Sequence, residues 1–298
     1  MHGWQRCRFV INLKEAMLHP STIQLLRFHF SLFLLPVYLF AISQLPQVNV
    51  VMALLVFFIL HGLVYPSSNG YNSIMDRDET PVGGLSQPMQ PTRQLFYVTL
   101  AMDAVALLLS LLVSPFFTVG ILLYILASRA YSYRGIRLKR LPVTGFLTVF
   151  IFQGALVFFL TWHGSHPSQS LNVPLMPAFI SSCLLGALYP LTQIYQHEED
   201  RKDGVITISY VVGKKGTFIL SAAFFSAATV LLYFLFRDRL FKFWLFLLVM
   251  LPVVSFFLYW MMQVWRHSSA ASFKNSLRMN MLATLCTSLF FLLLMYLH

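Results

Sequence analysis

The stretch Ser68–Pro88, SNGYNSIMDRDETPVGGLSQP, places a group of oxygen-bearing side chains directly after a long apolar segment. A second acidic stretch, Gln196–Gly204 (QHEEDRKDG), follows another apolar segment later in the chain. Seven of the 10 acidic residues lie in these two stretches: Asp76, Asp78, Glu79, Glu198, Glu199, Asp200 and Asp203. We therefore interpret the rest of the chain as a frame that holds both acidic stretches at a membrane surface.

The composition is that of a membrane protein. The chain is 58% hydrophobic and 10% charged, whereas about a quarter of the residues of a soluble domain are charged. A transmembrane helix needs about 20 mostly apolar residues, because lipid offers no partner to free backbone groups. Nine segments meet this requirement: Thr22–Ser43, Val48–Tyr65, Phe96–Val113, Phe116–Tyr131, Val143–Trp162, Met176–Tyr195, Thr217–Phe236, Phe243–Val264 and Met279–Leu297. They predict an all-α integral membrane protein, a single domain over residues 1–298 built as a bundle of about nine transmembrane helices with cytoplasmic helical caps.

Lys and Arg residues divide unequally between the two sides of the predicted bundle. Of the 21 in the chain, all except Arg237, Arg239 and Lys242 lie in the N-terminal segment or near the even-numbered loops. The positive-inside rule therefore places the N-terminal segment, residues 1–21, and both acidic stretches in the cytoplasm, in a multi-pass protein of the inner or plasma membrane. The net charge of +11 is explained by this topology, so no nucleic-acid partner is expected.

Both acidic stretches carry pairs of polar side chains four residues apart, which share one face wherever the chain is helical. The pairs are Asn72 with Asp76, Gln196 with Asp200, and Glu199 with Asp203. Carboxylate and amide oxygens are the ligands of hard divalent cations, so the pairs favour a Mg²⁺ site. A solvated acidic loop is the alternative interpretation of either stretch alone.

A basic stretch separates the two acidic ones along the chain. Ser128–Pro142, SRAYSYRGIRLKRLP, contains five Lys and Arg residues and two tyrosines in fifteen positions. It fits either an ordinary cytoplasmic loop or a clamp for a polyanion.

Two charged residues inside predicted spans have roles that are equally open. Arg27 either snorkels to the lipid headgroups or faces an anion-binding cavity, and Asp103 needs a partner that the sequence does not identify.

These charges combine into one chemical hypothesis. Two acidic stretches that hold Mg²⁺, with a basic stretch on the same face, suit a substrate that carries a diphosphate. Metal ions and arginines stabilise the charge on a departing diphosphate, which leaves a carbocation behind. An isoprenoid cation fits an apolar chamber with aromatic walls, and 16% of the residues are aromatic.

In these features the sequence resembles the UbiA-type intramembrane prenyltransferases, which are nine-helix bundles. Their first motif, N-x-x-x-D-x-x-x-D, follows the second helix, and its latter half is similar to NSIMD, Asn72–Asp76. Their second motif, D-x-x-x-D followed by Gly and Thr, is similar to DRKDGVIT, with Asp200, Gly204 and Thr207 at the matching positions. The basic stretch, with Tyr131, Arg137 and Lys139, and the first-helix Arg27 also resemble the diphosphate-binding residues of the family.

Two positions differ from the family pattern. Asn72 replaces an Asp of the first motif, with Ser68 at the ligand position before it, and Gln196 replaces the Asp that begins the second motif. These differences shift the expected metal ligation toward neighbouring carboxylates. The predicted metal ligands are Asn72, Asp76, Asp78, Glu79, Glu199, Asp200 and Asp203.

The resemblance implies a Mg²⁺-dependent enzyme that transfers a prenyl group from a prenyl diphosphate to a lipophilic aromatic acceptor within the membrane. The residues expected to act in catalysis are Asp76, Asp200, Arg137 and Lys139. The residues expected to bind substrate are Arg27, Asn72, Arg129, Tyr131, Arg134 and Lys139. Alternatives from other classes are a polytopic transporter or lipid-binding protein that uses the acidic loops for cations, and a membrane phosphotransferase.

Overall fold

Nine helices of the computed structural model, which describes residues 18–297, are long and apolar enough to cross a membrane. They are α1 (Pro20–Ser43), α2 (Val50–Asp76), α3 (Arg93–Ser110), α4 (Pro115–Ser132), α5 (Pro142–Ser165), α6 (Leu175–Gln193), α7 (Ile208–Leu235), α8 (Arg237–Arg266) and α9 (Phe273–Tyr296). A short helix, His197–Lys202, lies between α6 and α7. The predicted all-helical membrane bundle is confirmed for this part of the chain, while residues 1–17 of the predicted N-terminal segment lie outside it.

Helix α2 extends well beyond the apolar segment that predicts it. The apolar run ends near Tyr65, but the helix continues to Asp76, and Arg77 ends it in the left-handed conformation with φ 54°. The Arg77 amide caps the helix by donating to the Ser73 carbonyl oxygen at 3.0 Å. Asn72 and Asp76 therefore lie one turn apart on the final turns of α2, as their four-residue spacing predicts.

Two helices are interrupted near residues of interest. Helix α1 breaks at Arg27, which has φ 49° and ψ 49°. A non-glycine residue pays about 1 to 2 kcal/mol for this conformation, so the contacts of its side chain must hold it there. Helix α7 breaks at Gly213, where φ is 70°, a conformation that glycine adopts without a steric penalty.

Helices α2 and α5 each contain a π-helical segment, Phe58–Val64 and Phe150–Leu156 respectively. A π-helical turn changes the register of the side chains that follow and is frequent at functional sites. In α5 it contains Gly154, where a Cβ atom would lie only 2.5 Å from the Ser182 Cα atom of α6. The absence of a side chain at Gly154 lets α5 and α6 pack in direct backbone contact.

The centre of the bundle is packed by α1, α5 and α9. The Phe40 ring stacks on Phe291 with centroids 4.4 Å apart and meets Phe158 at 5.5 Å, and all three side chains are fully buried. Helices α7 and α8 form the outer wall, since only 22% of their most apolar windows is buried, against 61% for α6. The polar residues of α2, α4 and α6 lie at one end of the bundle, outside this packed core.

Candidate active site

A cavity of about 260 Å³ lies at the end of the bundle where the acidic stretches leave the apolar region. Side chains from α1, α2, α4, α5, α6 and α9 line it, together with residues of both acidic stretches. The charged residues of the described chain that line it are Arg27, Asp76, Asp78, Lys139 and Asp200. Apolar side chains, among them Phe33, Phe152, Leu185 and Leu188, line it as well. The structure therefore brings residues of both acidic stretches and the basic stretch to one chamber.

Asp76 lies at the centre of the charged group, and its side chain is only 6% exposed. Its carboxylate accepts a hydrogen bond from Asn72 Nδ2 at 2.8 Å and one from Arg137 Nη2 at 3.3 Å. The Lys139 ammonium group binds the same carboxylate. These donors satisfy a carboxylate that burial would otherwise make costly.

Asp78 lies two residues beyond Asp76, after the chain reverses at Arg77. Its Oδ2 atom is buried and has no hydrogen-bond partner. Burial, followed by the charge of Asp76, raises the pKa of Asp78 to about 6. The positive charges of Lys139 and Arg27 oppose this rise, but neither of them gives Oδ2 a hydrogen bond.

The short helix His197–Lys202 turns Asp200 toward the cavity. Burial raises the pKa of Asp200 to about 7, Lys139 opposes the rise, and the carboxylates of Asp76 and Asp78 add to it. His197 fastens this helix to α7, because its Nε2 atom lies 2.8 Å from Ser209 Oγ. The second acidic stretch is thereby held over the same chamber as the first.

The donor set fits a hard divalent cation. Asp76, Asp78 and Asp200 line one cavity, two of them have raised proton affinity, and Asp78 has an unpartnered oxygen. No three His, Cys, Asp or Glu side chains between residues 18 and 297 already stand in a metal-binding arrangement. The Lys139 ammonium group already binds the Asp76 carboxylate, so a cation at Asp76 would compete with it.

Of the other predicted metal ligands, Asn72 lines the cavity, whereas Glu79, Glu199 and Asp203 lie outside its lining. Glu79 is exposed, and Glu199, with 46% of its side chain exposed, accepts a hydrogen bond from Lys202 at 2.9 Å. Asp203 binds Arg137 through its carboxylate and, at 3.0 Å, through its carbonyl oxygen. Although burial acts to raise it, the hydrogen bond from Arg137 holds the pKa of Asp203 below its usual range. Metal ligation by these three residues stays a prediction.

Arg27 faces the cavity and does not snorkel. Its side chain is buried, and Nη2 donates to the Asn69 carbonyl oxygen at 2.9 Å and to Asn72 Oδ1 at 3.3 Å. The loop after α2 covers it: a Cβ atom built on Gly83 would lie 1.9 Å from Arg27 Nη1. These contacts hold the left-handed break in α1 and aim the guanidinium at the mouth of the cavity.

Arg129 pairs with Asp103, the carboxylate whose partner the sequence leaves unidentified. Arg129 Nε donates to Asp103 Oδ2 at 3.1 Å, and Nη2 donates to Ser67 Oγ at 3.0 Å. Ser67 in turn donates to Asp103 Oδ1 at 2.6 Å, and the guanidinium lies over the Tyr71 ring at 4.0 Å. The group joins α2, α3 and α4 behind the cavity wall, and neither charge lines the cavity.

The remaining residues of the basic stretch divide between the cavity and the surface. Tyr131 lines the cavity and hydrogen-bonds through its hydroxyl to that of Tyr189. Arg134 is exposed, and its Nε atom donates to the Met75 carbonyl oxygen at 2.7 Å. Arg134 and Arg137 thus bind protein groups around Asp203, whereas Lys139 reaches the chamber itself.

Several cavity residues escape the sequence prediction. Ser128 and Ser132 of α4 face α2, where Ser128 Oγ lies 2.5 Å from Ser68 Oγ and Ser132 Oγ accepts from Asn72 Nδ2 at 3.2 Å. Their four-residue spacing repeats that of the polar pairs in the acidic stretches, and this signal could have identified them. Gln193 of α6 also lines the cavity, but it is a single polar residue at a helix end and no pattern distinguishes it.

Solved structures share this fold. A UbiA homolog from Archaeoglobus fulgidus bound to GPP and Mg²⁺ gives a TM-score of 0.67 at 18% identity, covering 93% of this chain and 99% of that one. The apo structure of a UbiA homolog from Aeropyrum pernix K1 gives a TM-score of 0.62 at 19% identity. The match covers 87% of this chain and 97% of that one. A structure of digeranylgeranylglyceryl phosphate synthase gives a TM-score of 0.59 at 16% identity. The match covers 93% of this chain and 96% of that one. Identities this low establish the fold alone.

Comparison of the sequence with protein-family models identifies the family. No curated protein matches the chain, but the model of the UbiA prenyltransferase family matches residues 31–283. That range contains both acidic stretches and the basic stretch between them. The resemblance and the enzyme class predicted from the sequence are confirmed: this chain belongs to the UbiA prenyltransferase family.

Proposed function

We propose that the protein transfers a prenyl group from a prenyl diphosphate to a lipophilic aromatic acceptor, with Mg²⁺ held by Asp76, Asp78 and Asp200. One observation carries the proposal. Three carboxylates and two cations, Arg27 and Lys139, line a single cavity that many apolar and aromatic side chains also line. This arrangement suits a ligand with a highly charged head and a hydrocarbon tail.

Relatives of the same fold support the donor class. The Archaeoglobus fulgidus homolog has structures bound to GPP and Mg²⁺ and to DMAPP and Mg²⁺. The charged groups of this chain are of the kind that such ligands require, since carboxylates bind the metal and Arg and Lys bind the phosphates. Orientation with the acidic stretches in the cytoplasm, proposed from the positive-inside rule, places the cavity mouth where water-soluble diphosphates are available.

Each charged residue has a role in this proposal. Bound Mg²⁺ supplies positive charge that stabilises the departing diphosphate. Asp76, Asp78 and Asp200 hold the metal. Arg27 and Lys139 would bind the diphosphate oxygens, and Lys139 would be available for this contact once a bound metal neutralised Asp76.

The reaction breaks the bond between C1 of the prenyl group and the diphosphate oxygen, and the electron pair stays with the diphosphate. A ring carbon of the acceptor forms the new bond to C1, and the ring proton passes to the released diphosphate. Tyr65, Tyr124, Tyr131 and Tyr189 line the chamber, and their π-faces stabilise the cation while the apolar wall excludes water.

The test measures Mg²⁺-dependent diphosphate release and label transfer by purified protein in nanodiscs. A panel of radiolabelled prenyl diphosphates, from geranyl to polyprenyl, is incubated with and without a mixture of aromatic acceptors. Asp76→Ala and Asp200→Ala should each lose about 100-fold or more in turnover, because several kcal/mol of charge stabilisation depend on the metal. Glu198→Ala is the matched control, since Glu198 is an exposed carboxylate on the same short helix as Asp200.

Full turnover by both aspartate variants, correctly inserted, would overturn the assignment. Cation-coupled flux without any prenylated product would instead favour the transporter or lipid-binding alternative.

A further inference from the structure

Three uncharged polar side chains, which we call the amide surface, also line the cavity. They are Gln193 at the end of α6 and Ser276 and Asn280 of α9, all three of which are more than nine-tenths buried. The Gln193 Oε1 atom is buried and has no hydrogen-bond partner. An unpaired buried amide oxygen on a cavity wall marks a position where a ligand group completes the hydrogen bonding.

Hydrogen bonds hold this surface in place. Ser276 Oγ donates to the Leu191 carbonyl oxygen at 2.9 Å, which fixes α9 against α6 two residues before Gln193. Asn280 Nδ2 donates to the Ser276 carbonyl oxygen at 2.9 Å, which fixes the plane of the Asn280 amide. These bonds fix the Asn280 amide and the packing of α9 against α6 before any ligand binds.

The charge distribution decides which ligand group fits. Arg27 and Lys139 are the cations among the described residues that line the cavity. Both are engaged, Arg27 by Asn69 and Asn72, and Lys139 by Asp76. The amide surface has no cation of its own, so it offers no counter-charge to a carboxylate or a phosphate. A hydroxyl group suits an amide, because each partner donates one hydrogen bond and accepts another.

We propose that Gln193 and Asn280 bind a neutral hydroxyl group of the acceptor, so that the acceptor is an uncharged hydroxylated aromatic lipid. The inference rests on the proposed function and names the acceptor class for the same cavity. Phe273 and Leu277 of α9 line the cavity beside the two amides and provide an apolar surface for the ring. A ring hydroxyl also donates electron density to the ring carbon that attacks C1 of the prenyl group. That ring carbon then loses its proton to the released diphosphate.

The first test uses the wild-type chain and three matched acceptors: a long-chain alkylphenol, its methyl ether, and the same phenol carrying a ring carboxylate. Label transfer from a prenyl diphosphate is measured with Mg²⁺ in nanodiscs. The phenol should exceed both other compounds at least tenfold in kcat/KM. Equal or better transfer to the methyl ether or to the carboxylate would overturn the proposal, and this arm needs no variant to fold.

The second test replaces the amides by Gln193→Leu and Asn280→Leu. Each should raise the acceptor KM at least tenfold while the donor KM and the Mg²⁺ requirement stay unchanged. Gln90→Leu, at an exposed glutamine of the loop after α2, is the control. An unchanged acceptor KM in both variants would overturn the inference while leaving the proposed function standing. Failure of the wild-type protein to release diphosphate from any donor would overturn the proposed function and the inference together.

Discussion

Arg129 of α4 and Asp103 of α3 form an ion pair inside the bundle, with Arg129 Nε 3.1 Å from Asp103 Oδ2. Asp103→Ala leaves a guanidinium without its counter-charge at membrane depth. Removing one partner of a buried pair costs about 3 to 5 kcal/mol, so we expect a large drop in the thermal midpoint in detergent. Replacing both residues, in Asp103→Leu with Arg129→Met, should cost far less because no charge is then left unpaired.

The surface pair of Arg237 and Asp238 provides the control, since its atoms are 3.8 Å apart and its side chains are 69% and 92% exposed. Asp238→Ala should change stability by less than about 1 kcal/mol. Equal stability of Asp103→Ala and Asp238→Ala would contradict the structural role of the inner pair. Loss of donor affinity in a stable double variant would instead make Arg129 a substrate ligand, as the sequence predicts.

Gly83 lies against Arg27, and its substitution tests whether the loop after α2 positions that guanidinium. Gly83 has φ +48°, and an added Cβ atom would lie 1.9 Å from Arg27 Nη1. Gly83→Ala therefore has to displace Arg27 or the loop in addition to straining the backbone by about 1 to 2 kcal/mol. We expect the donor KM to rise at least about tenfold, equivalent to about 1.4 kcal/mol of binding.

Gly204→Ala separates backbone strain from the collision with Arg27. Gly204 has φ +69° with nothing within 4 Å of an added Cβ atom, so its substitution strains the backbone without a collision. It should lower stability and leave the donor KM near that of the wild type. A similar rise in donor KM for both variants would show that strain alone, and not the position of Arg27, explains the result.

Features that depend on local sequence are predictable here, whereas contacts between distant helices are not. The nine spans are predictable because lipid requires long apolar helices, and Asn72 and Asp76 are predictable as neighbours because a helix repeats every 3.6 residues. The partner of Asp103 is not predictable, since it lies on another helix and no period relates the two. The same holds for Gln193 and Asn280, which lie 87 residues apart in the chain but line one cavity. Local periodicity thus predicts the acidic stretches, and packing between distant helices completes the cavity.

Mg²⁺ should stabilise the protein more at high pH than at low pH. Folding raises the pKa of Asp78 to about 6 and of Asp200 to about 7, above the value of about 3.9 in an unfolded chain. A carboxyl group with a raised pKa binds protons more tightly when folded, so the metal-free protein loses stability as pH rises from about 4 to about 7. Asp203, whose pKa is lowered, acts in the opposite direction but below this window.

The measurement is the thermal midpoint with Mg²⁺ minus the midpoint with EDTA, from pH 5 to pH 8. The difference should increase with pH, because the metal binds the ionised carboxylates and removes their repulsion. Asp200→Asn should flatten the dependence, whereas Asp238→Asn, at an exposed carboxylate, should not. A difference that is constant over the range would show that these carboxylates do not bind the metal.

Arg137 connects the two acidic stretches, since it donates to Asp76 Oδ1 at 3.3 Å and to the Asp203 carbonyl oxygen at 3.0 Å. It does not line the cavity, so we propose that Arg137 positions the carboxylates that would hold the metal. Arg137→Ala should raise the Mg²⁺ concentration for half-maximal diphosphate release about 10- to 100-fold, as the loss of an outer-shell partner typically does.

Arg137→Lys keeps the charge but lacks the planar fork that reaches both stretches, so an intermediate Mg²⁺ requirement is expected. Arg140→Ala, at an exposed residue of the same stretch, should leave the requirement unchanged. A direct contact with the diphosphate would instead raise the donor KM at saturating Mg²⁺ and leave the metal requirement unaltered. The ratio of these two effects therefore separates positioning of the carboxylates by Arg137 from the substrate contact that a catalytic arginine makes.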